Sequence, residues 1–499
     1  MQNKYEKAKE ELEILATKQQ MSASNPKSSV WVEASAGTGK TKVLSDRVLR
    51  LLLAGVEPCK ILCLTYTKAA AVEMNERIAK RLSNWAVYSI NDLEEDLSKL
   101  LGNDFCSVKK DDVIKSARTL FAQILDAPGG MKIQTIHSFC QEILKRFPLE
   151  AGVSPFFEVL DDRSSKEILQ NIKSDVLKKT GDADILGQEI SYLINSISEF
   201  KFPEIMNLIT ENRSKIDALL KKYADITEII KELEKKMGIS SEITEDEVKK
   251  NLFFFIDKNE FVKCRDAFLK GGKEDQGRGN VFCQISESNF DYKYYDLYKE
   301  LFYTQKGEKR AHLARKDAIN AYPMILDFMN NELERVEEAE NTIKTIKVFR
   351  STKALLYISK NIIDAYNNYK EIYSVLDYED LITKTRTLLE NRENTDWVLF
   401  KLDGGIDHIL IDEAQDTSPV QWAIVRAITE EFFAGNGAFD GQVERSLFVV
   451  GDRKQSIYSF QGADPKEFDR MFTYFNKNAQ DFEKVHLDVS FRSTKAIMD

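Results

Sequence analysis

Hydrophobic positions along this chain follow two rhythms. Short β-branched or apolar runs occur at "VWVEA", "KILCLTYT", "KIQTIHSFC", "HILIDEA" and "LFVVGD", and most are followed by apolar residues at helical spacing. Such runs, buried on both faces and alternating with helices, predict a parallel sheet covered on both sides. Three lie before about residue 140 and two after about 405. Between Pro155 and Pro419 only Pro203 and Pro323 interrupt a stretch dominated by Lys, Glu, Leu and Ile. Few breakers and a three-and-four spacing predict helices there. The simplest architecture is one α/β domain, in pieces at 20–144 and 371–483, interrupted by a helical insertion at 145–370 and preceded by a helical extension at 1–19. Within the insertion "KGGKEDQGRGN", Lys270 to Asn280, reads as a mobile loop by its glycine and charge content.

Composition narrows the function classes. The chain has 499 residues, 43% of them hydrophobic, and a formal charge of −10. That balance excludes coating of nucleic acid by bulk positive charge, so any such contact has to come from a local groove. No apolar run reaches membrane-spanning length and the N-terminus lacks a signal-peptide layout. Of the six cysteines, Cys59 and Cys63 make a single C-x-x-x-C without a second pair, a pattern of reduced thiols more than of a metal site. A cytoplasmic protein is expected.

The stretch "WVEASAGTGKTKVL", Trp31 to Leu44, runs from strand to glycine turn to helix. This layout suits a triphosphate: Gly37 and Gly39 let the backbone approach, Lys40 reaches the β- and γ-phosphates, and Thr41 places a hydroxyl on Mg²⁺. Ala34, Ser35, Ala36 and Thr38 complete the loop, with Ala34 standing where the strict pattern has glycine. Some 370 residues later "HILIDEAQDTSP" ends a strand in Asp412 and Glu413. Acids at the C-terminal tip of a neighbouring parallel strand are placed to hold Mg²⁺ through Asp412, and to position and deprotonate water through Glu413. ATP and Mg²⁺ are the expected ligands, in a P-loop NTPase sheet.

"ASAGTGKT", "LTYTKAAAVEM", "IQTIHSFC", "LDYEDLI", "IDEAQDTSPVQW", "VVGDRKQSIYSFQGADP" and "LDVSFRS" occur in the order seen in superfamily 1 DNA helicases of the UvrD/RecB type. The ensemble resembles most the AddA-type components of helicase–nucleases that repair double-strand breaks. The resemblance runs from about Gln20 to the end, with no motif through most of the helical middle. It implies a RecA-like domain with a 1B-like insertion, ATP-driven 3′-to-5′ movement on single-stranded DNA, a DNA end as substrate, and an AddB-like partner. By resemblance, Gln20 reads the adenine edge, Gln455 senses the γ-phosphate, Asp452 supports that turn, and Arg492 contacts the γ-phosphate. Phe491 replaces the usual tyrosine before that arginine. Tyr66 and Phe460 match base-stacking aromatics, while Thr65, Thr135, His137 and Ser138 match backbone-contacting positions. Asp377 and Asp380 read as architectural caps where the insertion returns to the sheet.

The chain stops at Asp499, shortly after Arg492. With 484–499 as the start of a second motor domain, the expectation is a truncated or split chain that keeps nucleotide and DNA contacts but does not translocate alone. A half-motor completed in trans is the other reading. A nucleotide-dependent DNA-binding module without motor activity is a different class, separated by its lack of turnover. A small-molecule kinase shares the loop but has no use for the acidic and "GDRKQS" motifs. RNA as the track is left open by the residues, since stacking aromatics do not read a 2′-hydroxyl.

Overall fold

The computed structural model describes residues 14–102, 105, 110–178, 184–197, 201–390, 397–398, 401, 405–433, 444–455, 464–479 and 481–489. It divides into one unit formed by Met1–Arg163 with Tyr373–Asp499, and a second formed by Ser164–Ile372.

The strands of the first unit are β1 (Ser29–Ala34), β2 (Ile61–Thr65), β3 (Lys132–Thr135), β4 (Glu158–Val159), β5 (Val375–Leu376), β6 (His408–Ile411), β7 (Ser446–Gly451) and β8 (Phe482–Leu487). β4 and β5 pair with each other; the rest form one parallel sheet in the order β3-β2-β6-β7-β1-β8. Successive strand residues point to opposite faces. Trp31, Leu62, Leu64, Ile409, Ile411, Leu447 and Val449 enter one core. Val30, Val32, Ile61, Cys63, Leu410, Phe448 and Val450 enter the other. Both faces are covered, which is why these strands read as continuous apolar runs.

Trp31 anchors the central strand. Its ring stacks on Trp422 at 6.1 Å and packs against Phe468 at 4.7 Å, fastening β1 to the helices Pro419–Phe433 and Pro465–Asn478. Burying an indole contributes about 4–6 kcal/mol by area. Beneath the sheet, Arg47 is fully buried and donates to the carbonyls of Asn25 and Ser28 and to Ser446 Oγ. Ser446 Oγ also meets His408 Nδ1 at 2.8 Å, so one polar knot ties the phosphate-loop helix to the starts of β6 and β7.

Three expectations need correction. The strand bearing Asp412 and Glu413 is not beside β1, because β7 lies between them. Chain order does not reveal spatial order in a doubly wound sheet. Residues 484–487 belong to β8, paired with β1 in the first sheet (Val32 opposite Val485), and do not open a second domain. As an edge strand, β8 exposes Glu483, Lys484 and His486, which diluted its apolar signal. Finally, the expected loop at Lys270–Asn280 is largely helix, Lys273–Glu287. There a Cβ at Gly279 would lie 3.1 Å from Leu269 N, so that glycine permits close helix packing.

The first unit also extends through Arg163, past the expected boundary at 145, because Phe147 and Phe157 fill its core. In the second unit the spine is a 48-residue helix, Ile325–Ile372, about 70 Å long. It contains neither proline nor glycine. Its first half packs on Phe261, Phe282 and Tyr298, and its second half on Ile190, Leu193 and Met206.

Candidate functional site

The glycine turn after β1 has the backbone the sequence required. Gly37 and Gly39 take φ of 80° and 95°, and Gly39 caps the helix Lys40–Leu53 with no side-chain acceptor. No acid occupies the first helical turn. The first amides of a helix lack intrahelical partners and sit at the positive end of its dipole, so this end favours an anion. Ala34 ends an extended strand, so the backbone there does not demand glycine. Thr38 is buried, its hydroxyl donating to Ser35 O at 2.9 Å. Gln20, on a helix covering 14–23, donates to Thr38 O at 3.2 Å and accepts from Lys42 Nζ at 2.7 Å.

Lys40 Nζ converges with groups from two other strands: Glu413 Oε2 at 3.1 Å and Gln455 Oε1 at 3.3 Å. Glu413 follows β6 with φ 48°, a left-handed conformation that costs a side-chain-bearing residue about 1–3 kcal/mol. Asp412 N donates to Leu64 O at 2.9 Å, and Asp412 Oδ1 accepts from Glu413 N at 3.0 Å. Burial, and then the neighbouring Glu413 charge, push the Asp412 carboxyl up to about 6. Asp416 is raised to about 6 by the same two causes. Crowded carboxyls held against ionisation are what a divalent cation relieves, so the donor set fits Mg²⁺. Among the described residues no group of three His, Cys, Asp or Glu side chains is placed to hold a metal. That suits Mg²⁺, which takes one or two protein oxygens and completes its shell with phosphate and water.

A residue to which the motif reading gave no role joins these parts. Gln415 Nε2 donates to Glu413 Oε2 at 2.7 Å and to Asp416 Oδ2 at 3.2 Å, while its Oε1 accepts from Asp452 N at 2.8 Å. Asp452 in turn shapes the next turn, accepting from Lys454 N on Oδ1 and from Gln455 N on its carbonyl. The only sequence signal for Gln415 was its place inside "DEAQ".

The residues expected to meet DNA gather at the same sheet edge. Thr65 and Thr135 end β2 and β3 as register partners, and Leu64 pairs with Ile411, one residue before Asp412. Both threonine hydroxyls serve the fold: Thr65 donates to Thr67 O at 3.0 Å, and Thr135 caps the helix Ile136–Arg146 by accepting from Ser138 N. Ser138 Oγ lies 3.0 Å from Thr135 Oγ1. Tyr66 is half-buried. The His137 ring packs edge-on against Tyr378 at 5.3 Å, and burial holds its imidazole below the usual range. Asp377 and Asp380 cap reciprocally at the start of the helix Tyr378–Glu390, each accepting from the other's amide. Phe460, Phe491 and Arg492 lie outside the described residues.

Residues 15–476 match the family described as the UvrD/REP helicase N-terminal domain. Curated relatives named as the first of the lettered components of an ATP-dependent helicase/nuclease include proteins of Lactobacillus gasseri, Enterococcus faecalis and Clostridium acetobutylicum. The Lactobacillus protein is 27% identical over 94% of this chain and 38% of its own length. The other two are 24% identical over 94% of this chain, and over 36% and 38% of their lengths. The chain therefore spans little more than a third of these relatives. A phosphate-type loop, paired acids and a glutamine turn on successive strands of one parallel sheet, together with a match across most of its length, make this chain a member of the UvrD/REP helicase N-terminal domain family.

Proposed function

We propose that this chain is the ATP-binding part of a DNA helicase that couples ATP hydrolysis to 3′-to-5′ movement on single-stranded DNA during double-strand-break repair. The observation that carries the reading is the meeting of Lys40, Glu413 and Gln455 from the ends of three parallel strands. The helix N-terminus after Gly39 binds phosphate, and Lys40 exchanges its protein partners for phosphate oxygens. Thr41 and Asp412 hold Mg²⁺, which offsets phosphate charge during transfer. Glu413 orients the attacking water and accepts its proton. Gln455, on the turn supported by Asp452, reports the γ-phosphate, and Gln20 faces the base. Arg492 adds charge stabilisation.

The DNA track follows β2 and β3, with Tyr66 and Phe460 stacking bases and Thr65, Thr135, His137 and Ser138 along the backbone. Because β6 adjoins β2, the acids lie next to that track, a short route from nucleotide state to DNA contact. The relatives are named as one component of a multi-chain enzyme, which supports an AddB-like polypeptide as partner. No helix among the described residues is long and apolar enough to cross a membrane, in keeping with a cytoplasmic enzyme.

The test is ATP hydrolysis by the purified chain, with and without single-stranded DNA, beside Lys40→Ala. Turnover stimulated by DNA and lost in the variant is expected. Nucleotide-sensitive DNA binding without turnover would make this chain a binding module instead.

A further inference from the structure

We propose that Gln415 is a positioning residue that holds Glu413 in its working orientation and links it to the turn bearing Gln455. The proposal rests on the nucleotide-hydrolysing reading of this site. Gln415 is almost fully buried, and its side-chain amide is used at both ends. Its NH₂ group bridges the carboxylates of Glu413 and Asp416, at 2.7 and 3.2 Å. Its oxygen takes the Asp452 amide at 2.8 Å. An amide suits this position because it offers two donors and an acceptor without adding charge. A glutamate there would bring a third carboxylate against two others, and a lysine could not accept from Asp452.

The surroundings are built to fit. A Cβ at Gly451 would stand 2.8 Å from Gln415 Oε1 and 2.9 Å from Phe468 Cε2, so the absence of a side chain there leaves room for the amide. Glu413 sits in left-handed backbone, where its direction depends on external contacts, and Gln415 Nε2 supplies the shortest of them. Lys40 shares the same oxygen, Glu413 Oε2. When Lys40 turns to phosphate, Gln415 is the described partner that still holds the carboxylate. Displacement of Gln455 by a γ-phosphate would shift the Asp452 turn, and the 2.8 Å bond passes that shift to Gln415 and so to Glu413. Gln415 touches no reacting atom in this scheme; it acts through Glu413.

The experiment uses the 499-residue chain with single-stranded DNA, comparing wild type, Gln415→Met, Gln415→Glu and Lys40→Ala. Gln415→Met preserves shape and removes every hydrogen bond; Gln415→Glu restores the acceptor for Asp452 N but not the donor to Glu413. Two readouts are taken: steady-state hydrolysis with a fluorescent-nucleotide titration, and hydrogen exchange of the 411–417 amides when a non-hydrolysable ATP analogue is added. Expected is nucleotide affinity within about three-fold of wild type, and a fall in kcat on the order of a hundred-fold for both glutamine variants, as misplacement of a catalytic group produces. Analogue-induced protection of 411–417 is expected to disappear in both. Recovery by Gln415→Glu would overturn the proposal by reducing Gln415 to a strut for the β7 turn, and so would unchanged kcat and protection in Gln415→Met. The exchange readout needs no turnover, so a chain that binds without hydrolysing still decides the point. If Lys40→Ala binds nucleotide as wild type does, the reading of the site itself fails, and the proposal falls with it for that separate reason.

Discussion

Replacing Glu413 by glutamine should move nucleotide affinity and turnover in opposite directions. Lys40 is engaged by Glu413 at 3.1 Å and by Gln455 at 3.3 Å, so phosphate must compete with both. The side chains of Lys40 and Glu413 are 10% and 37% exposed. Ion pairs open to water contribute about 0–1 kcal/mol, and the burial of Lys40 puts this one near the upper end. Glutamine keeps the shape and an oxygen for Lys40 but removes the charge. ATP should therefore bind up to about five-fold more tightly, the equivalent of about 1 kcal/mol. Loss of the proton acceptor should cost about 10²–10⁴ in turnover. A fluorescent-ATP titration in Mg²⁺ and a single-turnover phosphate-release assay measure the two effects on the same protein. Weaker ATP binding together with retained turnover would refute the reasoning, since Glu413 would then neither restrain Lys40 nor serve the attacking water.

Three further outcomes follow from the geometry. Gly39→Ala forces a side chain into φ 95° and within 2.9 Å of Gln20 Nε2, a strain of about 1–3 kcal/mol; calorimetry should show nucleotide affinity reduced at least about ten-fold with the circular dichroism spectrum intact. Burial, with Arg47 and Lys60 nearby, lowers the His408 imidazole to about 3, below its ordinary value of 6.5. A group depressed on folding supports stability above its unfolded pKa and withdraws it as pH falls. His408 should therefore cost up to about 1.4 kcal/mol per unit as pH falls from about 6.5 towards 3, and urea unfolding of His408→Gln should be less pH-dependent than wild type across that window. Tyr66→Ala should weaken single-stranded DNA binding by about 1–3 kcal/mol in fluorescence anisotropy, with ATP affinity unchanged if the aromatic serves the track alone.

Much of the fold was legible because the informative segments are short and locally self-sufficient. A glycine turn between an apolar strand and a helix needs only its own residues to form, and "ASAGTGKT" therefore announced both β1 and the anion-binding helix start. The runs at β2, β3, β6 and β7 are buried on both faces, and burial writes itself directly into composition. The reciprocal Asp377 and Asp380 cap is likewise local, three residues apart. β8 was missed because an edge strand carries polar residues on its open side. The helix at Lys273–Glu287 was missed because Gly279 answers to a neighbouring helix backbone, a reason invisible from its own neighbours in the chain.

The sequence by itself determined which chemical groups are present and the local frames that present them: a phosphate-binding turn, two acids after a strand, a glutamine turn, and threonines at strand ends. Local backbone preference and burial suffice for that. Only the tertiary structure decided who meets whom. Inserting β7 between β1 and β6 brings Gln455 and Asp452 between the phosphate loop and the acids. The same packing turns Gln415 from one letter of a motif into the bridge that joins them, and spends the Thr65 and Thr135 hydroxyls on the backbone. Such contacts join residues up to hundreds of positions apart, and they are set by how two apolar faces of a sheet are covered, which no local stretch of chain encodes.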